Sequence, residues 1–223
     1  MTELNKLKNT IVNWSYLKDQ FDEKNTDEIL SLIKEFIPTG DFTLGKPVQE
    51  FESRFAKMVG LKYAIGVNSG TDAIKLSLKA LGIGPGDEVI TTANTFIATV
   101  GAITELFAIP IFVDCTDDFC MDVSKVKEKI TSKTKAIVPV HLAGQMTNME
   151  ELTKIAREYN LPIVEDSCQC ILGEINNKLA GTFGNTGAFS LHPLKNLNVW
   201  GDAGIIVTND KILNDKLRKL RNH

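Results

Sequence analysis

The feature that most constrains this chain begins at residue 62. From there, short apolar runs alternate with stretches whose apolar residues recur at helical spacing. Runs such as Tyr63-Ala64-Ile65-Gly66-Val67 and Ala136-Ile137-Val138-Pro139-Val140 lack the polar alternation of a strand with one wet face. Strands of that kind must be buried on both sides, and helices between them return the chain to start the next strand in the same direction. The pattern predicts strands over 63–67, 88–91, 109–113, 136–140 and 162–166, with 187–190 and 205–208 closing it. Helices are expected after Asp72 (with Ile74, Leu78 and Leu81 on one face) and over 95–107, 123–130, 149–159 and 211–221. This is an α/β chain with a mainly parallel sheet sandwiched by helices. Upstream, 27–37 and 46–59 read as amphipathic packing helices, separated by the breaker Pro38-Thr39-Gly40-Asp41. Residues 1–25 read as an irregular arm that docks through Trp14, and 26–223 as one ligand-binding domain.

Composition narrows the class. The 223 residues suffice for one large domain or two small ones, and 43% hydrophobic with 24% charged residues is ordinary for a globular protein. A net charge of −3 gives no electrostatic reason for a nucleic-acid partner. No apolar run reaches membrane-spanning length, and the polar N-terminus lacks the apolar stretch of a secretory signal. Cys115, Cys120, Cys168 and Cys170 match no common zinc spacing, so no metal site is expected. Reduced thiols and a cytoplasmic location are the expectation, with Cys168 and Cys170 as small core residues.

The chemistry centres on Ser190-Leu191-His192-Pro193-Leu194-Lys195-Asn196, a polar turn between two apolar runs. Most lysines are solvated surface charges, and Lys195 alone would rate as one. Its apolar flanks predict a deep position, and Val164-Glu165-Asp166 supplies an acidic strand end. A desolvated lysine becomes a nucleophile able to form a Schiff base with an aldehyde. Pyridoxal 5'-phosphate (PLP) is the usual such aldehyde, and its ring nitrogen needs a carboxylate, for which Asp166 is the candidate. The alternative for Asp166 is an ordinary pair with a nearby Arg or Lys. Asn68-Ser69-Gly70-Thr71 falls where a strand gives way to a helix, a ready anion site. Alone it reads first as an N-cap. Beside a lysine and an aspartate suited to the same cofactor, phosphate binding moves ahead, with Ser69, Gly70 and Thr71 as its ligands and Ser190 as a further phosphate-binding or lysine-orienting hydroxyl. Gln169 can reach the ring's phenolic oxygen, although taken alone it is a loop residue. His141 and His192 receive structural roles by default, since Lys195 can carry the proton itself.

The chain resembles the DegT/DnrJ/EryC1/StrS family of sugar aminotransferases, fold-type I PLP enzymes. The matching pieces run in family order. They include residues 14–21, Phe42-Thr43-Leu44-Gly45-Lys46-Pro47-Val48, Asn68-Ser69-Gly70-Thr71-Asp72-Ala73 and Gly84-Pro85-Gly86-Asp87-Glu88-Val89-Ile90. Further on come Thr95-Phe96-Ile97-Ala98-Thr99, Pro139-Val140-His141-Leu142-Ala143-Gly144-Gln145, Glu165-Asp166 with Gln169, residues 190–195, Gly201-Asp202-Ala203-Gly204 and Arg221-Asn222-His223. The resemblance implies the fold-type I large domain with a seven-stranded sheet. It implies that Lys195 holds PLP and moves the proton, that Asp166 binds the pyridinium nitrogen and Gln169 the ring hydroxyl. Gly70, Thr71 and Ser190 would bind phosphate, and Phe96 would stack on the ring. It further implies a homodimer that moves an amino group from an amino acid, glutamate foremost, to a keto sugar that is typically nucleotide-linked. Relatives that are dehydratases carry histidine in place of the lysine, and this chain keeps Lys195. Two departures stand out. Ala203 replaces a more usual glycine, and the family's smaller C-terminal domain would follow His223, so a truncated, catalytically incomplete domain is the competing expectation.

Overall fold

The computed structural model describes residues 16, 17 and 20–222, so most of the expected arm, with Trp14, lies outside the described residues. The chain divides between Gly45 and Lys46 into two compact units. In the first, helix α1 (Glu23–Phe36) starts at Asp22, whose side chain accepts from Asn25 N at 2.8 Å. A 3₁₀ turn (Ile37–Thr39) follows and stops at Gly40, whose φ of 67° suits a residue without a Cβ. Phe36 and Phe42 meet edge to face, with centroids 5.6 Å apart.

The second unit carries the sheet. Its strands are β1 (Tyr63–Val67), β2 (Glu88–Thr92), β3 (Ile109–Val113), β4 (Thr134–Val138), β5 (Val164–Asp166), β8 (Thr186–Ser190) and β9 (Gly204–Thr208). A small hairpin, β6 (Glu174–Ile175) with β7 (Lys178–Leu179), lies between β5 and β8. The spatial order is β1-β9-β8-β5 and β3-β2-β4, and the bridges Ile137–Ile163 and Val140–Asp166 join the two groups between β5 and β4. The result is the expected seven-stranded sheet. It is parallel except for β9, which runs antiparallel to both β1 and β8.

Alternating residues sort the core into layers, as a period of two requires. Ile65, Val89, Val138, Val164, Ala188 and Ile206 pack on one face with helices α3 (Gly70–Ala80), α4 (Ile97–Thr104) and α6 (Lys211–Leu220). Their strand neighbours Ile90, Ile137 and Ile163 pack on the other face with α5 (Met149–Glu158). On that second side Ala64, Phe189, Ile205 and Val207 meet α2 (Lys46–Val59) through Phe55, Ala56 and Val59.

Two expected helices change. The 95–107 helix shortens to α4, because Phe96 is extended at its N-cap and Phe107 takes a left-handed φ of 57°. The 123–130 helix is two 3₁₀ turns, Val123–Lys125 and Lys127–Lys129. Its buried valines, Val123 and Val126, are three residues apart and fit a three-residue turn as well as an α-helix.

Candidate active site

A cavity of about 220 Å³ opens at the carboxyl ends of β1, β2, β4, β5 and β8. Ligands of open α/β sheets sit at such ends. Ser69, Gly70, Thr71, Phe96, Asp166, Gln169, Ser190 and Lys195 all border it.

The phosphate-sized end of the cavity is built by the start of α3. Ser69 caps the helix: its Oγ accepts from Asp72 N at 3.1 Å and its carbonyl accepts from Ala73 N at 3.0 Å. The amides of Gly70 and Thr71 come too early to find a carbonyl within the helix, so among the described residues they head it as free donors where the helix dipole is positive. Cap and anion site are therefore compatible, because they use different groups. Packing explains the glycines. A Cβ on Gly70 would stand 2.8 Å from both Cys168 Sγ and Ser190 Cβ, and one on Gly204 would stand 2.1 Å from the Ser69 carbonyl oxygen. Ser190 ends β8 beside this cradle, and its Oγ accepts from His192 N at 3.3 Å, a bond that leaves its own hydrogen free to be donated.

Asp166 closes β5 and is only 5% exposed. Its Oδ2 accepts from Thr99 Oγ1 at 2.6 Å and its Oδ1 from Cys168 N at 3.2 Å. Among the described residues no salt bridge holds it, so the ordinary alternative of an Arg or Lys partner is not what forms. Burial, then the charge of Asp166, pushes the Cys168 thiol well above its usual range. Cys168 thus borders the site, and only Cys170 is the plain core residue expected of both.

Gln169 is oriented by its neighbours. Its Oε1 accepts from Ala143 N at 2.8 Å, which leaves the amide NH₂ as its free end. The loop that supplies this bond turns through left-handed residues, Ala143 (φ 51°) and Gly144 (φ 90°). Two thiols pin it: Cys170 Sγ donates to Gly144 O and Cys120 Sγ to Gln145 O, each at 3.2 Å. Burial pushes both thiols up, Cys170 to about 11, which keeps them protonated donors.

Phe96 is 63% exposed at the N-cap of α4, so it is a wall of the cavity and not a core residue. Lys195 differs from its expectation. The expected deep turn lies at the surface: Lys195 is half-buried, and His192, Leu194 and Asn196 around it are exposed. The apolar flanks belong to β8 and β9, which are buried, while the loop joining them projects beyond their ends. Lys195 N donates to His192 O at 2.8 Å, and Asn198 Nδ2 donates to Lys195 O at 2.9 Å.

Sequence reasoning gave no part in or behind the site to four residues. His192 borders the cavity, and its Nδ1 accepts from Leu194 N at 3.2 Å. Thr95 and Thr99 stand behind Asp166. Glu165 points to the opposite face of β5 from Asp166 and is fully buried. Its Oε1 accepts from Phe183 N and Gly184 N, both at 2.6 Å, and its Oε2 from Gly181 N at 2.9 Å. His141 completes that cluster with Nε2 3.1 Å from Glu165 Oε2, while its Nδ1 accepts from Thr147 N at 3.3 Å. The ring is saturated by these bonds, as its structural role requires. A charged residue inside an apolar strand was the available signal for Glu165.

Known proteins share this arrangement of chain. The sequence profile of the DegT/DnrJ/EryC1/StrS aminotransferase family matches residues 23–223. The UDP-N-acetyl-3-dehydro-alpha-D-glucosamine 3-aminotransferase of Acidithiobacillus ferrooxidans is 44% identical over 88% of this chain and 54% of its own length. The 3-oxo-glucose-6-phosphate:glutamate aminotransferase of Bacillus subtilis is 40% identical over 88% of this chain and 44% of its own. The crystal structure of NtdA from Bacillus subtilis with bound cofactor PMP superposes with a TM-score of 0.88 at 38% identity, over 94% of this chain and 48% of that one. The chain spans about half the length of the relatives it matches.

Proposed function

The chain belongs to the DegT/DnrJ/EryC1/StrS aminotransferase family, and from that premise we propose that it acts as a PLP-dependent aminotransferase in amino-sugar biosynthesis. The amino group passes from an amino acid, glutamate, to a keto sugar, typically nucleotide-linked. A relative named as glutamate-dependent and another named for a UDP-sugar support both substrates. The observation that carries the reading is the convergence, on one cavity, of a lysine, a buried carboxylate and the open amides of a helix N-terminus.

The residues fit the cofactor by their chemistry. Two free amides and the Ser190 hydroxyl are donors for a phosphate. Asp166 is an acceptor-only carboxylate for a protonated ring nitrogen, and among the described residues no cation pairs with it. Gln169 offers an N–H to a phenolic oxygen, and exposed Phe96 offers a flat apolar face. When bound, PLP supplies an aldehyde that takes up amines and a ring that accepts the electrons released at the amino carbon. The chain supplies the rest. Lys195 would hold the cofactor through its Nζ and, when that amine is free, would carry the proton at Nζ. Asp166 would pair with the ring nitrogen, and the start of α3 would hold the phosphate, so that both ends of the group are fixed within reach of Lys195. Overall the amino acid becomes a 2-oxo acid as the keto sugar becomes an amine, so atoms and electrons balance. The reading includes a homodimer, as the family resemblance implies, and a cytoplasmic location, which the four free cysteines favour. Among the described residues no helix is long and apolar enough to cross a membrane.

Product analysis tests this. Incubation with PLP, glutamate and a nucleotide-linked keto sugar is expected to yield 2-oxoglutarate and an amino sugar in equal amounts, and neither with Lys195→Ala. A deoxygenated sugar carrying no nitrogen would instead make the protein a dehydratase, and turnover unchanged by Lys195→Ala would overturn the assignment.

A further inference from the structure

Asp166 is held by more than its own strand. Thr99 is fully buried in the first turns of α4 and gives its only hydroxyl hydrogen to Asp166 Oδ2 at 2.6 Å. Thr95 Oγ1 lies 2.7 Å from Thr99 Oγ1. A carboxylate only accepts, so Thr99 must donate to it, and Thr95 must then donate to Thr99. The hydrogens of this chain are therefore ordered in one direction, Thr95 to Thr99 to Asp166. The competing bond from Thr95 Oγ1 to Phe96 O is longer, at 3.4 Å. Thr95 borders the cavity, and with its hydrogen engaged it presents lone pairs there.

We propose that Thr99, with Thr95 behind it, is a positioning residue for Asp166. The pair fixes one carboxylate oxygen and directs the remaining lone pairs of Asp166 into the cavity. The backbone agrees with this. Cys168 N holds the other oxygen at 3.2 Å, and the main chain of Asp166 is bonded on both sides, to Pro139 O at 2.9 Å and from His141 N at 3.0 Å. Rotation of the side chain is the only freedom left, and the Thr99 hydroxyl removes it. A hydroxyl at residue 99 lies 67 residues from the carboxylate in sequence, and the turn that leads from β2 into α4 brings it to the carboxyl end of β5.

This inference rests on the PLP reading above, and the test separates the two. Absorbance titration would measure the affinity for PLP of the protein and of its Thr99→Val, Thr99→Ser and Asp166→Ala variants. The double variant Thr99→Val with Asp166→Ala completes the set. Valine fills the same buried volume without the hydroxyl. A hydrogen bond to a charged group is strong enough for its loss to weaken binding by about tenfold to a hundredfold. Thr99→Ser is expected to restore the affinity, and in the Asp166→Ala background the valine is expected to change it by no more than about twofold. Unchanged affinity in Thr99→Val, or an equal loss with and without Asp166, would overturn the positioning role and leave Thr99 a packing residue. No binding by the unaltered protein would instead remove the cofactor reading itself, and this proposal with it. Thermal melts of each variant distinguish lost binding from lost folding.

Discussion

Adjacent residues on one short strand carry opposite tasks. Asp166 and Glu165 alternate across β5, so one carboxylate faces the cavity and the other is sealed inside the domain. The sealed one gathers three backbone amides and His141, and so staples the 181–184 loop to the sheet. Glu165→Gln keeps the shape but turns an N–H toward amides that need an acceptor. It is expected to lower stability by about 2–4 kcal/mol in urea unfolding, because buried donors lose a charged partner. A loss below about 0.5 kcal/mol would show that the cluster is not the staple described here. The thiols give a second test at this scale. Burial, the largest cause, raises Cys120, Cys168 and Cys170 above their ordinary value of 9.0. With Cys170 at about 11, roughly one molecule in a thousand carries its thiolate at pH 8. Iodoacetamide at pH 8, followed by mass spectrometry, is expected to leave these three unmodified in the folded protein, and early labelling of Cys170 would contradict the burial argument. The sign for stability follows. The unfolded thiol ionises near 9 and the folded one near 11, so the stabilising difference is whole below pH 9 and declines as pH rises through 11.

At the scale of elements, the sequence was informative where chemistry and period agree. The span of α2 follows from the stripe of Val48, Phe51, Phe55 and Met58, and the span of β1 from its unbroken apolar run. Lys195, Asp166 and the Ser69-Gly70-Thr71 turn were legible because polar residues at the ends of apolar strands have few structural uses. Thr99 and Glu165 were not, since their meaning depends on partners 16 to 67 residues away that only the folded sheet brings close, and Thr95 gains its meaning only through Thr99. The β6–β7 hairpin also escaped notice, although Asn176-Asn177, at φ 51° and 60°, is the kind of two-residue turn that such hairpins favour. The reversal of β9 has a consequence here. It pairs Gly204 with both Val67 and Ser190 and sets its backbone against Ser69. Gly204→Ala would drive a methyl into the Ser69 carbonyl, so the start of α3 must move. The expected result is at least a tenfold loss of PLP affinity with the fold retained, measured by titration beside circular dichroism, at a strain cost of about 1–3 kcal/mol. Wild-type affinity would mean that the cradle has slack that the packing does not suggest.

Over the whole molecule, the site depends on contacts that are remote in sequence. Strands β1 and β9 are neighbours although most of the domain separates them, and α6 closes the end of the domain over β1. Glu52 of α2 ties that end down. It is buried, and it receives Arg218 at 3.0 Å, Arg221, and the amide of Gly66 at 2.8 Å. Glu52→Ala leaves Arg221, itself nearly buried, without its carboxylate. It is expected to cost about 3–5 kcal/mol in urea unfolding, and a neutral result would show that the two arginines find solvent instead. The mainly parallel sheet follows from alternation, but its strand order and the length of the Lys195 turn beyond it do not, because both are set by what packs together and not by the flanks. Lys195 and Asp166 are proposed to serve one cofactor, and the visible spectrum of the purified protein with added PLP tests that pairing. The expected spectrum has a band displaced from that of free PLP, bleached by glutamate, and absent in Lys195→Ala. A spectrum identical to free PLP, or a displaced band that survives the loss of Lys195, would contradict it.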